Sequence, residues 1–325
     1  MILAPLRGVT IRCFRATFSH EIAEAGFTEA ITPFITANAG VNPLKDRELG
    51  RGEEIPSIKV TPQFIGKDPD ALKFCLEKIR EKGYDTADLN AGCPFPMVRN
   101  KGRGSGLLKN PKLLAEMMSV GVSIMGEGRF SVKTRLGIDS PNELKALMPL
   151  INDFPLRYLT VHSRTAKEMY CGNVHLEEFK EIASNAKVPL IYNGDAPIDD
   201  FDWPKEYLMI GRSFIRSLGE RENSNELVEK YIENSLKELG SPRAVLGRMK
   251  ELASYWKELP RYRRLWPIVK LARTLDEFRI ALNLWLLVFE NFGGKTPRNT
   301  KLKNFKIKTQ GKLKNTLKTH KNTRT

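Results

Sequence analysis

The feature that most limits the possible fold is a series of eight short apolar or β-branched segments, most of them separated by stretches with helical periodicity. The segments are Ile2–Pro5, Glu29–Thr32, Ile58–Ile65, Thr86–Asn90, Phe130–Arg135, Tyr158–His162, Pro189–Asn193 and Tyr207–Ile210. Strands that alternate with helices in this way pair in parallel. Eight such units in the first two thirds of the chain favour a (β/α)8 TIM barrel over an open sheet.

Signals at helix ends support this reading. The segment PDALKFCLEKIREKG has the apolar spacing of an amphipathic helix, and Gly83 is expected to end it. Ser140 and Pro141 are expected to open the helix of SPNELKALMPLIND, as N-cap and first helical residue. A doubly wound sheet is the alternative, but no GxGxxG motif follows the first strand.

The pattern changes after Gly219, where only helical segments follow. They are Asn225–Leu239, Pro242–Lys257, Tyr262–Arg273 and Asp276–Glu290. We therefore expect three parts in the chain: a barrel at 1–220, a small helical domain at 221–294 and a basic, disordered tail at 295–325.

Positive charge is unevenly distributed along the chain. The net charge is +15, and +10 of it follows Thr296, where eight lysines and two arginines stand without an acidic residue. Such an arm attracts polyanions, including nucleic acid. The helical segment is also basic, and this reads either as a solvated helix face or as a surface that binds a polyanion. Its cations are Arg248, Lys250, Arg261, Arg263, Arg264, Lys270 and Arg273.

Several classes of protein are disfavoured by composition. The longest apolar stretch, around Leu284–Phe289, is far too short to span a bilayer, and no secretory signal follows Met1. Cysteines are few and scattered, without the density of a disulfide framework. We expect a cytoplasmic protein that makes no membrane contact. The four cysteines are Cys13, Cys75, Cys93 and Cys171.

Polar residues recur where the expected strands end, and in a barrel those ends converge on one mouth. Only one histidine is among them, so a metal centre is not expected. The set suits an anionic, planar ligand such as a flavin, with phosphate bound after the last two strands, although any one residue alone could be a structural polar cap. The residues are Pro5, Gln63, Asn90, Cys93, Lys133, Arg135, His162, Asn193, Gly194, Asp195, Gly211 and Arg212.

Cys93 has two readings. A free cysteine usually behaves as a small buried hydrophobe, but a position between Gly92 and Pro94 on a strand-end loop indicates a presented thiol. Such a thiol acts as a nucleophile or as a proton donor. A nucleophile normally needs an adjacent base, and the chain has only four histidines, so beside a flavin the proton donor is the simpler role.

The motifs LAPLRGVTIRCFR, PQFIG, DLNAGCP followed by KGRGSGLLKNP, VKTRLG, TVHSRT, NGD and IGR occur in this order. In combination they resemble the tRNA-dihydrouridine synthases, and the resemblance extends from about Ile2 to Phe292. It implies an FMN-containing (β/α)8 barrel with a C-terminal helical domain. Such an enzyme uses NADPH to reduce the C5=C6 bond of particular uridines in tRNA.

Roles follow from the resemblance residue by residue. Cys93 matches the cysteine that gives a proton to C5. The flavin ligands would be Ala4, Pro5, Leu6, Gln63, Lys133, His162, Asn193, Gly194, Asp195, Gly211 and Arg212. The uracil would face Asn90 and Arg135, with Arg164 at its border. From the positive charge of the helical segment we also expect Arg261 and Arg264 to contact the tRNA. The sequence departs from the family pattern at Ile11, Ser163 and Tyr192, which affects local flavin contacts and not the class.

The partners expected on this basis are tRNA and NADPH, with NADH as an alternative reductant, and the protein is expected to be a monomer. Two other functions remain open. One is a flavin barrel that acts on a free small molecule, as dihydroorotate dehydrogenases do on the same C5=C6 bond; a basic helical domain would have no use there. The other is an RNA-binding barrel without catalysis, which the presence of Cys93, Lys133 and His162 argues against.

Overall fold

The computed structural model describes residues 1–49, 58–195 and 203–290, without the side chains of 283–290. The expected tail at 295–325 and the last residues of the expected helical domain lie outside the described residues. In the part of the chain that is described, no helix has the length and apolar character needed to cross a membrane.

Ten strands form one sheet in which every pairing is parallel. They are β1 Ile2–Leu3, β2 Glu29–Ile31, β3 Ile35–Thr36, β4 Lys59–Thr61, β5 Gln63–Ile65, β6 Ala87–Ala91, β7 Phe130–Gly137, β8 Leu159–Thr165, β9 Leu190–Asn193 and β10 Leu208–Ile210.

The ten strands occupy eight barrel positions because two positions are each split by a proline. Pro33 separates β2 from β3 and Pro62 separates β4 from β5; neither has an N–H to continue the ladder. β2 pairs with β4 and β3 with β5, so the second and third positions are adjacent. β1 pairs with both β2 and β10, which closes the ring. The predicted (β/α)8 barrel is confirmed.

Helices follow most of the strands, and only helices follow β10 within the described residues. They are α1 Arg12–Thr17, α2 Ser19–Glu24, α3 Pro69–Glu81, α4 Pro96–Arg99, α5 Pro111–Met125, α6 Glu143–Ile151, α7 Leu176–Asn185, α8 Arg212–Glu220, α9 Ser224–Leu239, α10 Pro242–Ser254, α11 Pro260–Arg263, α12 Trp266–Val269 and α13 Leu275–Glu290. Short 3-10 turns occupy Pro43–Lys45, Gly104–Lys109 and Lys205–Tyr207.

Local chemistry explains where several helices begin and end. The Asp68 carboxylate accepts hydrogen bonds from two amides of the first turn of α3, and Gly83, at φ +99°, follows its last residues as predicted. The predicted start of α6 at Ser140 is wrong. The helix begins at Glu143, whose carboxylate accepts from three preceding backbone amides, including that of Ser140.

The single helix predicted over Tyr262–Arg273 is also wrong. Two short helices, α11 and α12, occupy this region. Pro267 stands in the first turn of α12, where the missing N–H is tolerated, whereas in the middle of a longer helix it would remove a backbone hydrogen bond.

The amino end of the barrel is closed by a polar cluster centred on Glu29. Its carboxylate accepts hydrogen bonds from both terminal nitrogens of Arg157, at 2.7 and 2.9 Å, and from the hydroxyls of Thr61 and Tyr158. Above it lies a small apolar cluster of Ile2, Ala4, Ile31, Tyr158, Ile191 and Met209. Because this end is filled, the interior is open toward the carboxyl ends of the strands.

The chain divides into two compact units, Met1–Leu259 and Pro260–Thr325. Helices α9 and α10 belong to the first unit: the ring of Tyr231 packs against Phe14 and Phe18, and the indole N–H of Trp256 donates to the carbonyl of Ile215 at 2.6 Å. The separate helical domain expected at 221–294 stays a prediction.

Candidate active site

A cavity of about 1280 Å³ opens at the carboxyl ends of the strands. Its volume is sufficient for a cofactor-sized ligand together with part of a second molecule. Fourteen residues come from the sequence-predicted set or its immediate loop: Ala4, Pro5, Leu6, Asn90, Gly92, Cys93, Lys133, Arg135, His162, Asn193, Gly194, Asp195, Gly211 and Arg212.

Four predicted residues stand apart from the cavity wall. Gln63 is fully buried beneath it, and Arg164 is buried behind Asp195. Arg261 and Arg264 belong to the second compact unit, where the Arg261 guanidinium lies 5.6 Å from the ring centre of Tyr262. Their assignment to tRNA binding stays a prediction.

A chain of side-chain hydrogen bonds runs from the barrel interior to Cys93. The Gln63 Nε2 donates to Asp88 at 2.7 Å, and the Gln63 Oε1 accepts from Asn90 Nδ2 at 2.8 Å. The Asn90 Oδ1 then accepts from the backbone amides of Gly92 and Cys93, at 3.1 and 2.8 Å. Each amide side chain therefore has a defined orientation.

Asp88 sets the direction of this chain because an ionised carboxylate only accepts hydrogen bonds. It also accepts from the Ser131 hydroxyl at 2.6 Å. Burial raises its pKa to about 6, against the lowering effect of the hydrogen bonds from Ser131 and Gln63. Asp88 is therefore ionised at neutral pH, and it orients Gln63 and, through it, Asn90.

The Cys93 thiol is held in a tight loop beside the cavity. The backbone carbonyl of Cys93 accepts hydrogen bonds from both the amide and the hydroxyl of Ser105, at 3.2 and 2.9 Å. Gly104, at φ +58°, packs so closely that a Cβ there would lie 2.8 Å from the Cβ of Cys93. Burial raises the pKa of the thiol, more than the charge of Arg135 lowers it. The site thus presents a protonated thiol.

The side chain of Lys133 lines the cavity. The Nζ donates to Asn193 Oδ1 at 2.7 Å, while Asn193 Nδ2 donates to the carbonyl of Met209 at 2.8 Å. Burial, followed by repulsion from Arg135, lowers the pKa of Lys133 to about 7. A negative charge placed beside this amine would raise that pKa and be stabilised in return.

His162 contributes an imidazole ring to the cavity wall. It is buried, and its Nδ1 finds no hydrogen-bond partner among the described residues. Burial and the neighbouring cations, Arg135 first, hold its pKa well below the usual value. The ring is therefore neutral, and its Nδ1 is a buried polar atom without a partner in the described part of the chain.

Two arginine side chains and the His162 ring lie close to the ring of Tyr170. The guanidinium carbons of Arg135 and Arg212 lie 5.3 and 5.2 Å from its ring centre, and the His162 ring meets it edge-on at 6.2 Å. Arg135 also donates to the carbonyls of Gly92, Thr165 and Met169. Burial lowers the pKa of Arg135 to about 10, so it remains charged at neutral pH.

Asp195 balances part of this positive charge. It pairs with Arg212 and, at 3.1 Å, with the buried Arg164, whose Nε and a terminal nitrogen donate to the carbonyl of Gly172. Arg164 thus supports the wall instead of lining the cavity. Both arginines share one carboxylate, so the site retains a net positive charge.

The end of β10 leads directly into a helix start. Gly211 is the residue before α8, and its backbone lies so close to β1 that a Cβ there would be 3.1 Å from the Cβ of Ala4. The free amides at the start of α8 and the Arg212 side chain favour an anion such as phosphate. Residues 196–202, which follow Asp195 in the sequence, lie outside the described residues.

Three further components of the site were not identified from the sequence. Tyr170 stands five residues beyond β8, and Asp88 lies inside β6, so neither is at a strand end. Helix α10 also lines the cavity with Arg248 and Glu251, as does Tyr255 directly after it. The aspartate in DLNAGCP is the one signal that was available, because a carboxylate inside an apolar strand needs partners.

The donor set fits a flavin mononucleotide. Uncharged backbone from Ala4 to Leu6 offers a surface for a ring, Lys133 and the unpartnered His162 nitrogen offer polar contacts at a ring edge, and Arg212 with the start of α8 suits a phosphate. In the described ranges, no group of three or more His, Cys, Asp or Glu side chains could hold a metal ion.

Comparisons with known proteins agree with this chemistry. Residues 2–204 match the family model for dihydrouridine synthase. The tRNA-dihydrouridine synthase B of Vibrio parahaemolyticus is 31% identical over 225 residues, 65% of this chain and 66% of that protein. A probable tRNA-dihydrouridine synthase of Staphylococcus aureus is 31% identical over 209 residues, 60% of each chain. The matches therefore span somewhat less than two thirds of these relatives.

Among solved structures, an old yellow enzyme homologue from Zymomonas mobilis aligns with a TM-score of 0.49 and 13% identity. That alignment covers 66% of this chain and 85% of the other.

Proposed function

The chain belongs to the dihydrouridine synthase family, and from that premise we propose that it reduces the C5=C6 bond of uridines in tRNA. The observation that carries the proposal is Cys93: a protonated thiol beside the cavity, on a loop fixed by Asn90 and Ser105. Such a thiol suits proton donation to a carbon atom. The relatives named above are tRNA-dihydrouridine synthases by name, which supports tRNA as the substrate.

The cofactor we propose is FMN, reduced by NADPH or NADH. When bound, it supplies the hydride that C6 of the uracil receives. Ala4, Pro5 and Leu6 would lie along its ring, Lys133 and His162 at a ring edge, and Gly194, Gly211 and Arg212 near its phosphate. Asn193 and Asp195 would hold Lys133 and Arg212 in place, as they do in the structure. Gln63 would act through Asn90, because its own side chain is fully buried.

The chain's own part in the reaction is the proton. Cys93 gives its Sγ proton to C5 and becomes a thiolate, which the nearby charges of Arg135 and Lys133 stabilise. Asn90 keeps the Cys93 backbone in place while the thiol reacts. The fixed guanidinium of Arg135, bound to three carbonyls, would border the uracil. Lys133 can supply a positive charge wherever negative charge accumulates in the site.

A uridine in folded tRNA must leave its stack before it can enter this cavity. Contacts with the RNA backbone offset that cost, and we propose that Arg261 and Arg264 take part in them. We further propose that the protein acts as a monomer in the cytoplasm, where its tRNA substrate is found.

An anaerobic half-reaction tests the proposal. The protein reconstituted with FMN is bleached with NADPH, freed of excess reductant, and mixed with unmodified tRNA, free uridine or orotate. We expect the oxidised absorbance to return with tRNA alone. Return with orotate alone would favour the small-molecule enzyme, and failure to bind FMN would leave the non-catalytic RNA-binding protein.

The role of Cys93 is tested in the same assay. We expect Cys93→Ala to bind FMN but to lose at least about a hundredfold in tRNA reduction, since proton donation by a positioned group contributes about 10²–10⁴-fold. Cys171→Ala is the matched control, because Cys171 is exposed and does not line the cavity. A Cys93→Ala protein with the rate of the control would remove the proton-donor assignment.

A further inference from the structure

Three large apolar side chains are exposed at the rim of the cavity. Phe95, Met97 and Tyr170 are 45%, 83% and 40% exposed, and all three line the cavity mouth. The remaining large hydrophobic residues with high exposure in the described chain are Val41, Tyr207 and Leu271, which do not line it. Exposed apolar surface next to a site is a common sign of a binding surface.

The rim is rigid. Pro94 and Pro96 flank Phe95, and the carbonyl of Phe95 accepts hydrogen bonds from the amides of Val98 and Arg99, both at 2.9 Å. The following turn packs against this helix so closely that a Cβ at Gly106 would lie 2.4 Å from the Arg99 carbonyl oxygen. Met97 and Phe95 therefore project from a fixed backbone, and little backbone entropy is lost when they meet a ligand.

The surroundings of the rim are cationic. Residues 94–110 contain four basic residues and no acidic one. Tyr170 lies beside the guanidinium groups of Arg135 and Arg212, and its ring centre is 6.5 Å from that of Phe95. Aromatic or apolar side chains among cations are the combination with which proteins hold unpaired nucleotides. The basic residues are Arg99, Lys101, Arg103 and Lys109.

We propose that this apolar rim, Phe95, Met97 and Tyr170, packs against the nucleobases that flank the target uridine. The proposal rests on the proposed tRNA reduction. When one base leaves a stack, its neighbours expose their faces, and an apolar side chain beside the entry to the cavity can cover them. Phe95 and Met97 follow Cys93 by two and four residues, and Cys93 and all three rim residues line the same cavity, so nucleotides that flank a uridine at the thiol would lie near the rim. The ligand is thus a pair of base faces, with no preference for base sequence.

The test combines changes in protein and RNA. The uridine that the wild-type protein reduces is first mapped in an unmodified tRNA, and the tRNA is then remade with an abasic nucleotide on either side of it. kcat/KM is measured for wild type, Phe95→Ala and Met97→Ala on both RNAs. Tyr207→Ala is the matched control, since it removes an exposed ring at the amino end of β10. Flavin content and the thermal midpoint verify folding.

On intact tRNA we expect each rim variant to lose about tenfold in kcat/KM, the effect of one stacked base. On the abasic RNA with the matching base removed, the wild type should fall to a similar value and the rim variant should fall no further. Two results would overturn the rim proposal alone. The rim variants and Tyr207→Ala could have equal rates on intact tRNA, or each rim variant could lose as much activity on every abasic RNA as it does on intact tRNA. A wild-type protein that reduces no uridine would overturn the proposed function, and the rim proposal with it.

Discussion

Replacing Asp88 by asparagine should disturb Cys93, although the two side chains do not touch. The carboxylate of Asp88 accepts from Gln63, and this directs Asn90 to present its oxygen to the amides of Gly92 and Cys93. An asparagine at 88 can also donate, so Gln63 and Asn90 can both turn over. In the reversed arrangement the Asn90 nitrogen would face two backbone N–H groups, donor against donor.

The magnitude follows from the hydrogen bonds at risk. A buried donor left without an acceptor costs about 1–3 kcal/mol, and a charge-assisted bond that becomes neutral loses about 1 kcal/mol. If the reversed form is populated, the loop of Cys93 loses its anchor. If the reversed form is not populated, the hydrogen bond from Gln63 is still weaker than in the wild type, because its acceptor no longer carries a charge. The first case predicts a loss of about 1–3 kcal/mol, or roughly 5- to 150-fold in the rate of tRNA reduction, and the second predicts a loss of about 1 kcal/mol in stability.

The assay is single-turnover reduction of tRNA by the prereduced protein, together with thermal unfolding. Asp85→Asn is the matched control because it makes the same chemical change in an exposed aspartate that pairs with Lys59. We expect the control to keep the wild-type rate. If Asp88→Asn and Asp85→Asn show equal rates and equal thermal midpoints, the argument that Asp88 orients Cys93 is refuted.

Two further predictions concern the same cavity. In the ligand-free protein the pKa of Lys133 is lowered to about 7 from 10.5, so between these values the unfolded chain binds a proton that the folded chain has released. The free energy of unfolding of the wild type, relative to Lys133→Met, should therefore rise with pH from 7 toward 10.5, by at most about 1.4 kcal/mol per pH unit; a flat difference in chemical denaturation would contradict the burial of this amine. Gly104→Ala should cost about 1–3 kcal/mol of stability and displace Cys93, because its Cβ would lie 2.8 Å from that of Cys93. Gly102→Ala is the control, since its φ is also positive and its Cβ would meet only Lys67 at 3.6 Å; equal thermal midpoints for the two variants would show that the close contact with Cys93 is relieved without cost.

The sequence allowed the barrel and most of its mouth to be predicted, for physical reasons that apply to any parallel barrel. Strand ends converge, so Cys93, Lys133 and His162 could be grouped without knowledge of distances. What it did not show depends on partners far away in the chain. Gln63 and Asn90 were each predicted near the end of a strand, but only the structure reveals that Asp88 orders them into one hydrogen-bonded chain.

Other differences between prediction and structure arise where a sequence signal was compatible with more than one local structure. Ser140 was a plausible N-cap, and its hydroxyl does accept from the Asn142 amide at 3.3 Å, but the helix begins only at Glu143, whose carboxylate accepts from the amides of Asp139 and Ser140. Tyr170 had no signal at all, because a loop residue beyond a strand carries no periodicity. Its role as the centre of the Arg135 and Arg212 pair is a property of the folded loop.

The polar cluster around Glu29 has a consequence for how this protein can change over evolutionary time. Four hydrogen bonds tie the amino ends of separate barrel positions together, at the end opposite the cavity. Stability and chemistry therefore depend on different residues, and mutations at the cavity need not weaken the closed ring. Arg7, whose guanidinium lies 5.1 Å from the ring centre of Phe34 at the cavity wall, is a residue of the kind that such a scaffold leaves free to vary.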